Sequence, residues 1–197
     1  MTTTTSTTTK TFTETRNANA INEAVNNPAT IAEEAKVNVA KSLAAIPEEG
    51  FRSSRQIKEI ILHCSATKEG ADFSAADIRR WHLQRGFNDI GYHFVVRLDG
   101  TVERGRNINV TGAHCLNHNK RSIGICYVGG LDRAGRPADT RTDAQRLALP
   151  ALIRRLRRHH PSATIHGHRE FATKACPCFN AAEYANLSAA PPDDSPA

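Results

Sequence analysis

The chain has 197 residues, with 26 Lys and Arg against 20 Asp and Glu (net charge +6), five Cys and 39% apolar residues. That length suits one domain plus additional chain, and no apolar run approaches the roughly 20 residues that span a bilayer. The charge is segregated: residues 1–50 carry 4 basic and 6 acidic side chains, residues 51–187 carry 22 and 12, and the last ten carry two acids. The middle segment therefore holds a surplus of +10.

Ten of residues 2–15 are Thr, so residues 1–16 offer little to bury and read as a disordered tail. That start also lacks the basic and apolar regions of a secretory signal, so synthesis in the cytoplasm and later release or export to the cell wall is the expectation. Residues 17–50 are rich in Ala, Asn, Glu and Lys with sparse apolar positions, and read as a helical or linker extension. Asn27 before Pro28 suits an N-cap and first helical residue.

The main domain is expected at 51–187, followed by a second disordered tail at 188–197. Residues 57–63, with Ile57 and the run Ile60-Ile61-Leu62, read as a buried strand and lead into a polar loop at 65–72. Ser74 and Asp77 form a capping-box pattern for a helix through Trp81 and Leu83 that Gly86 closes. Residues 92–98, the Asp99-Gly100 turn and residues 101–104 make a hairpin signature, with Tyr92 and His93 on opposite faces of an extended strand. Residues 122–128 read as another buried strand. Thr142 and Gln145 cap a longer helix to Arg158, with Leu147, Leu152, Ile153 and Leu156 on one face and a kink or break at Pro150. A short strand at 163–166, an irregular loop to Phe179 and a closing helix at 181–187 complete the pattern. Strands interleaved with helices predict an α/β domain, a mixed central sheet flanked by helices.

Nine His are many for this length, and His63, His114, His166 and His168 fall where strands give way to loops. Such positions carry sites in α/β proteins. His168 is followed eight residues later by Cys176, with Lys174 nearby to favour a thiolate. Imidazole and thiolate suit zinc, and His63 at the end of a buried strand is the natural third donor. Three protein ligands imply a catalytic ion, whereas His166 or Cys178 as a fourth would imply a structural one. The five Cys contain no Cys-x-x-Cys pair as in zinc ribbons, and Cys178 reads as a buried free thiol.

Six ordered segments carry a resemblance: Ile61-Leu-His-Cys-Ser-Ala-Thr, Asp89-Ile-Gly-Tyr-His-Phe, Asp99-Gly-Thr-Val-Glu, Gly112-Ala-His, Ser122-Ile-Gly-Ile-Cys and Lys174-Ala-Cys-Pro. Together they resemble the zinc-dependent N-acetylmuramoyl-L-alanine amidases, in the phage-lysozyme branch that shares its fold with peptidoglycan recognition proteins. The resemblance implies one zinc per chain, held by His63, His168 and Cys176, with Tyr92 as catalytic tyrosine and Lys174 assisting it. It selects His168 over His166, and it places His114 in the cleft as a substrate contact. The implied substrate is bacterial peptidoglycan; separately, a monomer without a membrane span is expected.

Two other readings remain at this point. Relatives that bind peptidoglycan without cutting it often lack the cysteine ligand, which is present here as Cys176. Arg154, Arg155, Arg157 and Arg158 with His159 and His160 form a basic cluster of the kind that can meet nucleic acid, but basic helix faces are usually solvated. No specific nucleic-acid partner is expected. A glycosidase would need two facing carboxylates, and Glu103 and Glu170 show no paired pattern.

Overall fold

The computed structural model describes residues 27–189. The tail expected at 1–16 lies outside the described residues, as does most of the one expected at 188–197. The apolar run in the first half of the domain becomes strand β1 (Glu59–Cys64), buried at every position but the first. β1 pairs in parallel with β5 (Ser122–Tyr127) on one side and β7 (Thr164–Gly167) on the other. β3 (Phe94–Val96) extends the sheet in parallel beyond β5, and β4 (Val102–Arg104) closes that edge antiparallel, giving the order β4-β3-β5-β1-β7. Parallel central strands are covered on both faces, which is why β1 and β5 are buried along nearly their whole length and largely apolar.

Among the described residues three α-helices supply the cover: α1 (Pro28–Ala44), α2 (Ala75–Gln84) and α3 (Asp143–His159). Asn27 caps α1, its side chain accepting from the Ala29 amide at 3.0 Å. The Ser74/Asp77 and Thr142/Gln145 pairs form reciprocal capping boxes on α2 and α3, satisfying N–H groups that a helix start leaves without partners. Of the kink or break expected at Pro150, the break does not occur: α3 continues through it. Gln145, Ala148, Leu149, Leu152, Ile153 and Leu156 are buried on both sides of that proline, so packing carries the helix across one missing hydrogen bond. Leu147 is 39% exposed, and Leu149 takes the inward place expected of it.

Other boundaries also differ. β3 is three residues long, so Tyr92 precedes the strand. The loop at 65–72 contains β2 (Thr67–Lys68), which pairs with β6 (Gly130–Leu131) in a small second sheet, too short to leave a periodic pattern. The closing helix is a single 3-10 turn, Ala181–Tyr184.

One face of the sheet meets α3 and α1. Ile60, Leu62 and Cys64 of β1 pack there with Ile123, Ile125, Leu149, Leu152, Leu156 and Phe179. Val39 of α1 and, beyond that helix, Ile46 and Phe51 join the same cluster. On the opposite face Val95, Cys126 and Val128 meet Ala75 and Ile78 of α2, with Tyr92 and Trp81 packed alongside.

The basic cluster on α3 works largely as a fastener. Arg155 pairs with Glu48 at 2.6 Å, and its guanidinium lies 5.1 Å from the Phe51 ring centre. His159 meets Glu48 at 2.6 Å, Arg157 donates to the Ala185 and Leu187 carbonyls, and His160 is buried against the Phe51 carbonyl. No helix among the described residues is long and apolar enough to cross a membrane.

Candidate metal centre

Side chains alternate along a strand, so with Ile60, Leu62 and Cys64 facing α3, His63 projects from the other face of β1. It is 1% exposed. His168 follows β7 directly, in a 3-10 turn, His168–Glu170, whose Glu170 accepts from the Gly167 amide at 2.6 Å. Cys176 lies on the next loop, which is pinned at several points. The Arg169 amide donates to the Cys176 carbonyl at 2.6 Å, and the Tyr127 hydroxyl donates to the Pro177 carbonyl at 2.8 Å. A Cβ at Gly167 would come within 2.8 Å of the Pro177 ring, so this close crossing requires glycine.

The β1–β7 ladder ends at Leu62 and Gly167. Beyond it the Cys64 amide turns to the Cys176 sulfur at 3.3 Å. The candidate ligand atoms of His63, His168 and Cys176 lie within 4.8 Å of one another. His63 Nδ1 is 3.8 Å from Cys176 Sγ, close to the about 3.6 Å separating nitrogen and sulfur ligands on a tetrahedral zinc ion. Both geometry and donor chemistry fit that ion. Among the described residues no other group of three His, Cys, Asp or Glu side chains converges in this way. His166 instead meets Thr164 and Glu170, at 2.8 and 2.7 Å.

Burial, reinforced by the neighbouring His114, His168 and Lys174, holds the His63 imidazole well below its usual pKa, and burial followed by Lys174 lowers His168. Neutral imidazole is the form that binds metal. The Cys64 thiol is raised by its contact with Cys176 and by burial, and burial pushes Cys178 up to about 12. These two sulfurs, 3.8 Å apart, stay protonated beside the cluster, and Cys178 is half-buried.

Tyr92 lies with its ring centre 5.1 Å from that of His63, and burial raises its phenol pKa. Lys174 is exposed on the Cys176 loop. His114, expected to contact substrate, is only 9% exposed and lies behind His63, with its nitrogens 3.0 Å from His63 Nε2 and 3.3 Å from Ser122 Oγ. His93 is a structural residue: its Nδ1 accepts from the Gly124 amide, and burial lowers it to about 4.

Sequence reasoning missed Arg55, Ser122 and Tyr127. Arg55 donates to the carbonyls of Ile108, Asn119 and Ser122 at 3.0 to 3.2 Å and so fastens the loop that carries His114. An arginine ahead of a buried strand gives no sign of such distant partners. Ser122 and Tyr127 carry polar groups in an otherwise apolar run, and each hydroxyl has a partner at the site.

Residues 53–179 match the family model described as N-acetylmuramoyl-L-alanine amidase. The endolysin of Klebsiella phage KP32 is 42% identical over 130 residues, covering 66% of this chain and 86% of the relative. The endolysin of Escherichia phage T7 is 40% identical over the same shares. A solved endolysin N-acetylmuramoyl-L-alanine amidase from Clostridium intestinale superposes with a TM-score of 0.56 at 30% identity, covering 64% of this chain and 78% of that one. The expected mixed-sheet fold is thus shared with a solved amidase, and the matched span contains each of the site residues described above. The chain belongs to the N-acetylmuramoyl-L-alanine amidase family.

Proposed function

We propose that the chain hydrolyses the amide bond between the lactyl group of N-acetylmuramic acid and L-alanine in bacterial peptidoglycan, using one zinc ion held by His63, His168 and Cys176. Peptidoglycan hydrolysis itself follows from family membership and the endolysin relatives. The observation that carries the catalytic reading is the convergence of two imidazoles and one thiol beside a tyrosine. Three protein donors leave a fourth position open, as catalytic zinc requires.

A zinc ion bound there supplies a water activated near neutral pH and an electrophile for the amide carbonyl. The chain's own residues do the rest. Tyr92, protonated at neutral pH, donates a hydrogen bond to the oxyanion that develops as the carbonyl is attacked. The Lys174 ammonium, at the open rim of the site, adds positive charge and delivers a proton to the departing L-alanine amine. His63 and His168 remain neutral and hold position. The +10 surplus of residues 51–187 attracts the enzyme to anionic cell envelopes, an attraction that salt weakens.

Digestion of purified peptidoglycan by the full chain, with mass spectrometry of the products, tests this reading. Free stem peptides beginning with L-alanine are expected, with no new reducing sugar ends, and a chelator stops their release until zinc is restored. Binding without release, new reducing ends, or turnover that a chelator leaves intact would overturn it.

A further inference from the structure

We propose that His114 and Ser122 form a hydrogen-bond relay that fixes the His63 hydrogen on Nε2 and leaves Nδ1 bare toward Cys176 and His168, which makes both of them positioning residues of the metal centre. The proposal rests on the zinc reading above.

The assignment follows from counting hydrogens. Ser122 Oγ lies 2.8 Å from the His118 carbonyl, which can only accept, so the single hydroxyl hydrogen goes there. Ser122 Oγ must then accept at its other contact, 3.3 Å from His114 Nε2, and that nitrogen carries the hydrogen. A neutral imidazole has one N–H, so His114 Nδ1 is bare. It faces His63 Nε2 at 3.0 Å, and the hydrogen between them belongs to His63. The lone pair of His63 is thereby left on Nδ1, the atom 3.8 Å from Cys176 Sγ.

Rotating the Ser122 hydroxyl toward His114 would reverse every step and place a hydrogen on the nitrogen that faces the other ligands. The 2.8 Å contact is the shorter of the two and holds the hydroxyl hydrogen against that reversal.

The His114 ring is held in a slot cut for it. A Cβ at Gly124 would sit 2.6 Å from its Cγ and Cδ2, and one at Gly112 would sit 2.6 Å from Cδ2. Asn119 Oδ1 accepts from the His114 and Cys115 amides at 2.8 and 2.9 Å, fixing the backbone from which the ring projects. The His114 ring stands at 82° to that of His63, with centroids 5.0 Å apart, so it meets His63 at the ring edge. A partner on the remote nitrogen of a ligating histidine commonly sets its tautomer and is worth about 10- to 100-fold in metal affinity.

Long-range ¹H–¹⁵N spectra of the full chain labelled in histidine read the tautomers directly. His63 should carry its hydrogen on Nε2 both without zinc and with it. In chelator competition, Ser122→Ala should weaken zinc binding about 10-fold, and His114→Leu, which fills the slot without polar atoms, about 10- to 100-fold. His114→Gln, which can still accept from His63, should recover part of that loss. If His114→Leu does not fold, Ser122→Ala decides alone, because it removes only one oxygen. A zinc-free chain with the hydrogen on His63 Nδ1, or folded variants that bind zinc within twofold of the parent, would overturn the relay. A chain with the stated tautomer that binds zinc but digests no peptidoglycan would overturn the amidase reading and leave the relay standing.

Discussion

The two faces of the central sheet are built from the same strands and serve opposite ends. Toward α3, residues such as Leu62, Ile125, Leu152 and Leu156 are at most 1% exposed and close an apolar layer that α1 and Phe51 extend. Toward α2 the apolar cluster is smaller, and β1 contributes His63 in the midst of it. A histidine that deep is stabilising only because His114 and the neighbouring ligands satisfy its nitrogens. Strand alternation lets one residue step, from Leu62 to His63, pass from a layer that stabilises the fold to one that holds the candidate metal ligands.

Substitutions should separate the faces. The largest effect belongs to the ligand side: Cys176→Ser or His168→Ala should lower amidase turnover by about 10⁴-fold, equivalent to about 5 kcal/mol, with the fold retained and the melting temperature lowered by the loss of zinc binding. Metal analysis and peptidoglycan turnover on the same samples check this, and a zinc-free Cys176→Ser protein with full activity would remove the metal from the mechanism. On the opposite face, Leu152→Ala should cost about 2–5 kcal/mol in denaturant unfolding while zinc content and low-temperature kcat stay unchanged. A kcat loss at full stability would show that the faces are coupled.

Tyr92→Phe should keep the metal and lose about 10²-fold in kcat, because one donor to the oxyanion is removed. Lys174→Ala, at the exposed rim, should fold normally and lose about 10-fold; an unaffected rate would make Lys174 a bystander. The smallest effect lies at the approach to α3. Burial alone would raise the Asp139 carboxyl, but hydrogen bonds from Arg141 and Arg146 outweigh it and hold the pKa at about 2. Because this lies below the usual value of 3.8, the carboxylate stabilises the fold above about pH 4, and that contribution disappears as the pH falls toward about 2. Asp139→Asn should flatten acid unfolding across that window, and an unchanged acid profile would show that the arginines do not act through Asp139.

Local signals in the sequence proved readable. Each of the three caps depends on residues at most three positions apart, and Asn27, Ser74 and Thr142 all bond as their spacing implies. The buried strands β1 and β5 were visible as apolar runs. Two-residue β2 and β6 were not, because a period of two cannot be expressed in two residues. No break occurs at Pro150, because the flanking leucines hold α3 together across the missing hydrogen bond, a packing effect that backbone chemistry alone does not show.

The site divides in the same way. His168 and Cys176 are near neighbours in the chain, but His63 is 113 residues from Cys176, so spacing alone could offer it only as a natural donor. Family resemblance supplied the rest of that grouping. It implied a substrate contact in the cleft for His114, which is buried and faces Ser122, a residue that nothing in a β-strand pattern marks as a neighbour of the candidate ligands.

The position of the ligands in the sheet has a kinetic consequence. β1 lies between β5 and β7, whereas β7 is an outer strand, and both His168 and Cys176 come after it. Outer strands open with less free energy than inner ones. Fraying of β7 and the following loop should therefore release two ligands while His63 stays in place, and amide exchange should be faster there than along β1. On the zinc reading, metal exchange would follow the breathing of one margin, and a bound ion would leave and return without passage through the unfolded chain.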